Sequence, residues 1–140
     1  MKYRGDLNMT EALVEILLVE DSTPDVTLFH EGLKRWVRCI NLCIAEDGER
    51  ALTLLKDGLK PSIIVLDINL PKINGYEVLR QLKNSPMRDI PVIIFSSVSE
   101  RGDPPHADAY IQKPLYLEEY VDAVCTICSK WLAGLPDRQG

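Results

Sequence analysis

The chain has 140 residues, which suits one domain with a sizeable core better than two small ones. Hydrophobic residues make up 46% and charged residues 26%, a globular balance that excludes a disordered chain or a coiled coil, and no apolar stretch approaches the roughly 20 residues of a bilayer span. Sixteen Lys and Arg against 21 Asp and Glu leave a net charge of −5 with no basic stripe, which makes direct nucleic-acid binding a poor fit.

The first eight residues include Lys2, Arg4 and Asp6 and lack a signal-type apolar core, so a cytoplasmic protein is expected. In that compartment the four cysteines are not expected to form disulfides.

In chain order, residues 1–13 read as a tail or an extra N-terminal segment, 14–133 as the domain and 134–140 as a C-terminal tail. A continuous apolar run ending in acids predicts a buried strand over 14–20. Ser22-Thr23-Pro24-Asp25 then starts a helix, with a hydroxyl cap, an early proline and an acid in the first turn. Val26, Leu28, Phe29, Leu33 and Trp36 continue it at helical spacing. Strands are predicted over 39–45, 62–67, 91–95 and 109–111. Helices are predicted over 49–56 (closed by Gly58), 75–82 and 117–132. Strands without polar alternation are covered on both faces, as in parallel sheets. Right-handed crossovers then give a doubly wound α/β sheet with function at the carboxyl ends of its strands.

Those ends collect polar residues. The first strand ends in Glu20-Asp21, the third in Asp67 and the fourth in Ser96-Ser97, and Lys113-Pro114 follows the short fifth. Three carboxylates brought together need a cation, and hard oxygen donors suit Mg²⁺. The set points to phosphoryl transfer onto a carboxylate. Asp67 is the candidate nucleophile, Lys113 and the metal neutralise charge, and Ser96 bonds the phosphoryl group.

In order and spacing, four pieces resemble a response-regulator receiver domain: Leu17-Leu18-Val19-Glu20-Asp21, Val65-Leu66-Asp67-Ile68-Asn69-Leu70-Pro71 with Gly75, Pro91-Val92-Ile93-Ile94-Phe95-Ser96-Ser97, and Tyr110-Ile111-Gln112-Lys113-Pro114. The resemblance covers nearly the whole chain. It implies a flavodoxin-like sheet of five parallel strands in the order 2-1-3-4-5. It implies phosphorylation of Asp67 by a sensor histidine kinase, in a signalling switch rather than a metabolic enzyme. It further implies Mg²⁺ held by Glu20, Asp21, Asp67 and the Asn69 carbonyl, with Ser96 and Tyr110 as the switch pair. A cis Lys113–Pro114 bond is also implied, an isomer that only proline makes accessible.

No output domain follows, so a stand-alone regulator is expected. Val19 to Val26 and the end around Trp131-Leu132 and Leu135-Pro136 resemble small regulators paired with bacterial phytochromes. One departure stands out. Only 17 positions separate Ser96 from Lys113, about five fewer than the family ordinarily uses, which is more than one helical turn. Pro104 and Pro105 lie inside this link, so the fourth helix is expected to be shortened or missing. The family tunes water attack at two positions, here Asn69 and Val98. Val98 cannot bond a water, which predicts slow loss of the phosphoryl group.

Two other protein classes fit these residues less well. An aspartyl-phosphate hydrolase of the haloacid-dehalogenase type would want an acid where Asn69 stands. A flavodoxin-like flavin carrier would want a hydroxyl- and glycine-rich loop in place of Glu20-Asp21-Ser22. A receiver that binds partners without phosphorylation is the remaining alternative. Cys39 with Cys43 and Cys125 with Cys128 have zinc-like spacing but fall on a strand and a helix, so buried thiols are expected. His30 is expected on an exposed helix face and His106 in a loop, neither with a catalytic partner. Tyr116, Tyr120, Trp131 and Leu135 are core or a self-association face, and Trp131 tilts the reading toward a homodimer contact.

Overall fold

The computed structural model describes residues 2–3, 14–36, 40–97 and 107–133. Ten elements follow one another: β1 (Lys2–Tyr3), β2 (Val14–Val19), α1 (Thr23–Leu33), β3 (Ile40–Ala45), α2 (Gly48–Lys56), β4 (Ile63–Leu66), α3 (Gly75–Lys83), β5 (Val92–Ser96), β6 (Ala109–Gln112) and α4 (Leu117–Trp131). The sheet order is β1-β3-β2-β4-β5-β6. Strands β2 to β6 are mutually parallel, and β1 adds an antiparallel edge on β3. Among the parallel strands alone, the order is the expected 2-1-3-4-5, with four helices among the described residues.

The two-residue period of a strand explains the unbroken apolar runs. Ile16 and Leu18 of β2 face one layer, with Phe29 and Leu33 of α1 and Val124 and Ile127 of α4. Leu17 and Val19 face the other, with Leu52 and Leu55 of α2 and Val78 and Leu79 of α3. Both faces of each central strand are buried, as in other parallel sheets.

Local signals set the helix starts. The Ser22 Oγ accepts the Asp25 backbone N–H at 3.3 Å. Asp47 Oδ1 accepts from Arg50 at 2.7 Å to cap α2, and Asn74 Oδ1 accepts from Glu77 at 3.0 Å to cap α3. Gly58, with φ +110°, ends α2 in the left-handed region that glycine tolerates best.

Most ends differ from the sequence reading by one or two residues, and α1 stops at Leu33, three residues before the Trp36 that helical spacing assigns to it. The first and third strands stop one residue short of their acids, leaving Glu20 and Asp67 just beyond β2 and β4. Cys39, Val98, Pro104-Pro105, His106 and Leu135 lie outside the described residues. So do the expectations on the shortened link and the phosphoryl lifetime. His30 departs from expectation: it is half-buried on α1, and burial lowers its imidazole pKa. Cys43 and Cys128 are buried free thiols as expected, and Cys125 is a half-buried one. Tyr120 belongs to the core, Trp131 packs half-buried against it, and Tyr116 is exposed.

Candidate functional site

Parallel strands deliver their carboxyl ends to one edge of the sheet, and the polar residues of the motifs meet there. Asp67 follows β4 and is buried. Its backbone N–H donates to the Val19 carbonyl at 3.1 Å, which ties it to the end of β2. Ser96, the last residue of β5, has no exposed surface, and its hydroxyl donates to Asp67 Oδ1 at 2.9 Å. The Asn69 backbone N–H donates to the same oxygen at 3.1 Å. Lys113 lies past β6, and its ammonium donates to Asp67 Oδ2 at 3.1 Å and to Glu20 Oε1 at 2.6 Å. Glu20 Oε2 accepts the Ser22 backbone N–H at 3.1 Å.

Gly75 explains why the fourth residue after Pro71 has no side chain. A Cβ there would collide with the Asp67 carbonyl oxygen and would lie 2.7 Å from Ile68 Cα. The start of α3 thus presses directly on the loop that carries Asp67, and the Gly75 N–H donates to the Ile68 carbonyl at 2.9 Å.

Burial dominates the electrostatics. It pushes the Glu20 carboxyl well above the ordinary range, and the Lys113 ammonium pulls it back only in part. Burial also disfavours the charge on Lys113, but Glu20 and Asp67 outweigh it and raise the pKa above that of a free lysine. One ammonium therefore holds together two carboxylates that would otherwise repel.

Glu20, Asp21 and Asp67 each present an oxygen within 4.8 Å of the others. Asp21 is the exposed member and opens onto a groove of about 530 Å³ that also borders Thr23, Glu46 and Arg50. Three hard oxygens, one facing solvent, fit a small divalent cation that keeps several waters. Among the described residues no cysteine or histidine group offers a comparable metal site.

Asn69 is exposed beside Asp67, and Tyr110 on β6 is half-buried against the layer that includes Leu66 and Ile94. The Lys113–Pro114 bond is trans, which corrects the expected cis isomer. The trans form is favoured by about 0.5–1 kcal/mol even before proline, and in it Lys113 already reaches both carboxylates.

Two participants carried no site signal in the sequence. Asp25 Oδ2 lies 3.4 Å from Lys113 Nζ, and Asp25 Oδ1 accepts a hydrogen bond from the Tyr120 hydroxyl at 2.9 Å. In the sequence Asp25 reads as an ordinary first-turn acid and Tyr120 as core or a self-association face. Their separation of 95 positions leaves no local pattern to join them.

Residues 16–125 match the response regulator receiver domain. The response regulator Rcp1 of Synechocystis is 35% identical over 129 residues, covering 84% of this chain and 88% of Rcp1. The phosphorylated cyanobacterial phytochrome response regulator RcpA superposes with a TM-score of 0.82 at 30% identity, covering 90% of this chain and 99% of that one. The Mn²⁺-bound form of Rcp1 superposes at 0.79 with 33% identity, over 87% and 96% of the two chains. Fold, motif order and homology agree, and the chain belongs to the response regulator receiver domain family of two-component signalling.

Proposed function

We propose that Asp67 accepts a phosphoryl group from the phosphohistidine of a sensor histidine kinase, with Mg²⁺ as the assisting ion, and that the added charge alters the chain's protein contacts. The carrying observation is the buried Asp67 carboxylate, with a hydroxyl on one oxygen and an ammonium on the other, beside two further acids within 4.8 Å. An Asp67 oxygen attacks phosphorus, the P–N bond breaks, and its electron pair returns to the imidazole. A bound divalent cation supplies neutralising charge for the transferring group. Ser96 and Lys113 hold the acceptor carboxylate and then donate to phosphoryl oxygens. Glu20, Asp21, Asp67 and the Asn69 carbonyl are the proposed metal ligands. Ser96 and Tyr110 are the proposed switch pair, since phosphorylation adds charge at the Ser96 hydroxyl.

RcpA is a phytochrome response regulator, which supports a phytochrome-type kinase as donor. A cytoplasmic setting suits such a donor, and Trp131 is a proposed homodimer contact. The chain acts as a signalling domain that turns over no substrate beyond its own phosphoryl group.

Intact mass after incubation with acetyl phosphate and Mg²⁺ tests the proposal. A single phosphoryl adduct is expected, absent without Mg²⁺ and absent in Asp67→Asn. No adduct on a folded chain that binds Mg²⁺ would favour an interaction module that works without phosphorylation.

A further inference from the structure

We propose that Asp25 and Tyr120 are positioning residues that hold the Lys113 ammonium at the acceptor site, through a relay from the Tyr120 hydroxyl to the Asp25 carboxylate to Lys113 Nζ. This rests on the reading of Asp67 and Lys113 as the phosphoryl-acceptor pair.

The geometry of the relay is closed at each step. Asp25 stands in the first turn of α1, its backbone N–H bonded to the Ser22 cap. One of its oxygens is 3.4 Å from Lys113 Nζ, and the other accepts the Tyr120 hydroxyl at 2.9 Å. The same hydroxyl lies 3.3 Å from the Asp25 carbonyl oxygen, so two acceptors on one residue hold it. Tyr120 cannot swing away. It is 3% exposed, and its ring packs edge-on to Phe95 with centroids 5.2 Å apart, while Phe95 packs in the same manner on Phe29 at 6.3 Å. Burial, then the Asp25 carboxylate, push its hydroxyl pKa far up, so it remains a donor.

The relay answers a problem of lysine. Its four-carbon stem is flexible, and a lone ammonium follows whichever carboxylate attracts it most. Here Glu20, Asp67 and Asp25 surround it at 2.6, 3.1 and 3.4 Å. Glu20 and Asp67 belong to the acid group fit for a cation, whereas Asp25 stands outside it. Asp25 is thus the carboxylate that stays with Lys113 when the charge of the other two is shared. Because Tyr120 belongs to α4, the relay also ties the first turn of α1 and the first turns of α4 to the reacting carboxylate.

Two variants test this with little loss of packing. Tyr120→Phe keeps the ring against Phe95, and Asp25→Asn keeps an acceptor without the charge. The measurements are the rate of adduct formation with acetyl phosphate at saturating Mg²⁺, Mn²⁺ affinity, melting temperature, and the ¹H–¹⁵N signal of the Lys113 ammonium in metal-free protein. Adduct formation is expected to slow about threefold in Tyr120→Phe and about tenfold in Asp25→Asn, the range for one hydrogen bond in a charged network. Mn²⁺ affinity should hold, the Lys113 signal should weaken in both, and Asp25→Glu should recover part of the rate. Wild-type rates in both variants, with Lys113→Ala inactive, would overturn the relay and leave the site reading standing. So would parallel losses of rate, metal affinity and melting temperature, which mark general disruption. A Lys113→Ala chain phosphorylated at the wild-type rate would overturn the site reading and the relay with it.

Discussion

The backbone N–H of Lys113 donates to the Ser96 carbonyl oxygen at 2.8 Å, one rung past the last paired residues of β5 and β6. Two site residues are therefore launched from adjacent strand ends. Their side chains then take opposite oxygens of one carboxylate, Ser96 at Asp67 Oδ1 and Lys113 at Asp67 Oδ2. The sheet ladder, not a loop, sets their separation, so site geometry inherits the rigidity of the core.

Ser96→Ala removes the hydroxyl donor from Asp67 while leaving the β5 backbone intact. Adduct formation is expected to slow by about tenfold or more, the loss of one charge-assisted hydrogen bond. A time course of intact mass with acetyl phosphate reads this directly, and an unchanged rate would remove Ser96 from the proposed site.

Lys113→Met replaces the ammonium with an apolar chain of similar length. Buried Glu20 and Asp67 then face each other unpaired, and breaking such a pair costs about 3–5 kcal/mol. Urea melts in EDTA should show the loss, and added Mg²⁺ should restore more stability to the variant than to wild type, because a cation replaces the missing charge. Equal stability of variant and wild type in EDTA would contradict the bridging role.

Gly75→Ala places a methyl group where only the Asp67 carbonyl and Ile68 Cα have room. Either α3 or the loop that carries Asp67 must shift, at about 1–3 kcal/mol for overpacking of this kind. Stability and adduct formation should fall together. A fully active, fully stable variant would show that the loop yields without strain.

Cys128 has a thiol pushed up to about 12, by burial first and by neighbouring Cys125 second. At pH 8 almost all of it is protonated. Cys128 also has no exposed surface, so its labelling in the folded chain should be slow and should accelerate when the chain is opened with urea. Peptide mapping after iodoacetamide checks this, and rapid labelling without urea would contradict it.

Much of the molecule is legible along the chain because its physics is local or periodic. Apolar runs without alternation mark strands covered on both faces, and Ser22 marks a helix start through a bond within three residues. Glu20, Asp21, Asp67, Ser96 and Lys113 are legible for a topological reason. A parallel sheet sends every strand's carboxyl end to one edge, so polar residues that close apolar runs must assemble. The trans bond before Pro114 was not legible, since both isomers are open to an X–Pro pair and the surroundings select one.

The sequence by itself determined the α/β class, the strand order through its motif family, and the acids, hydroxyl and lysine at the sheet edge. Tertiary structure alone decided which oxygen each donor takes, that Gly75 must yield its space to Asp67, and that Asp25 and Tyr120 join the site. Those outcomes depend on distances between α1, α4 and the sheet, and residues 95 positions apart meet only when the helices pack on one face.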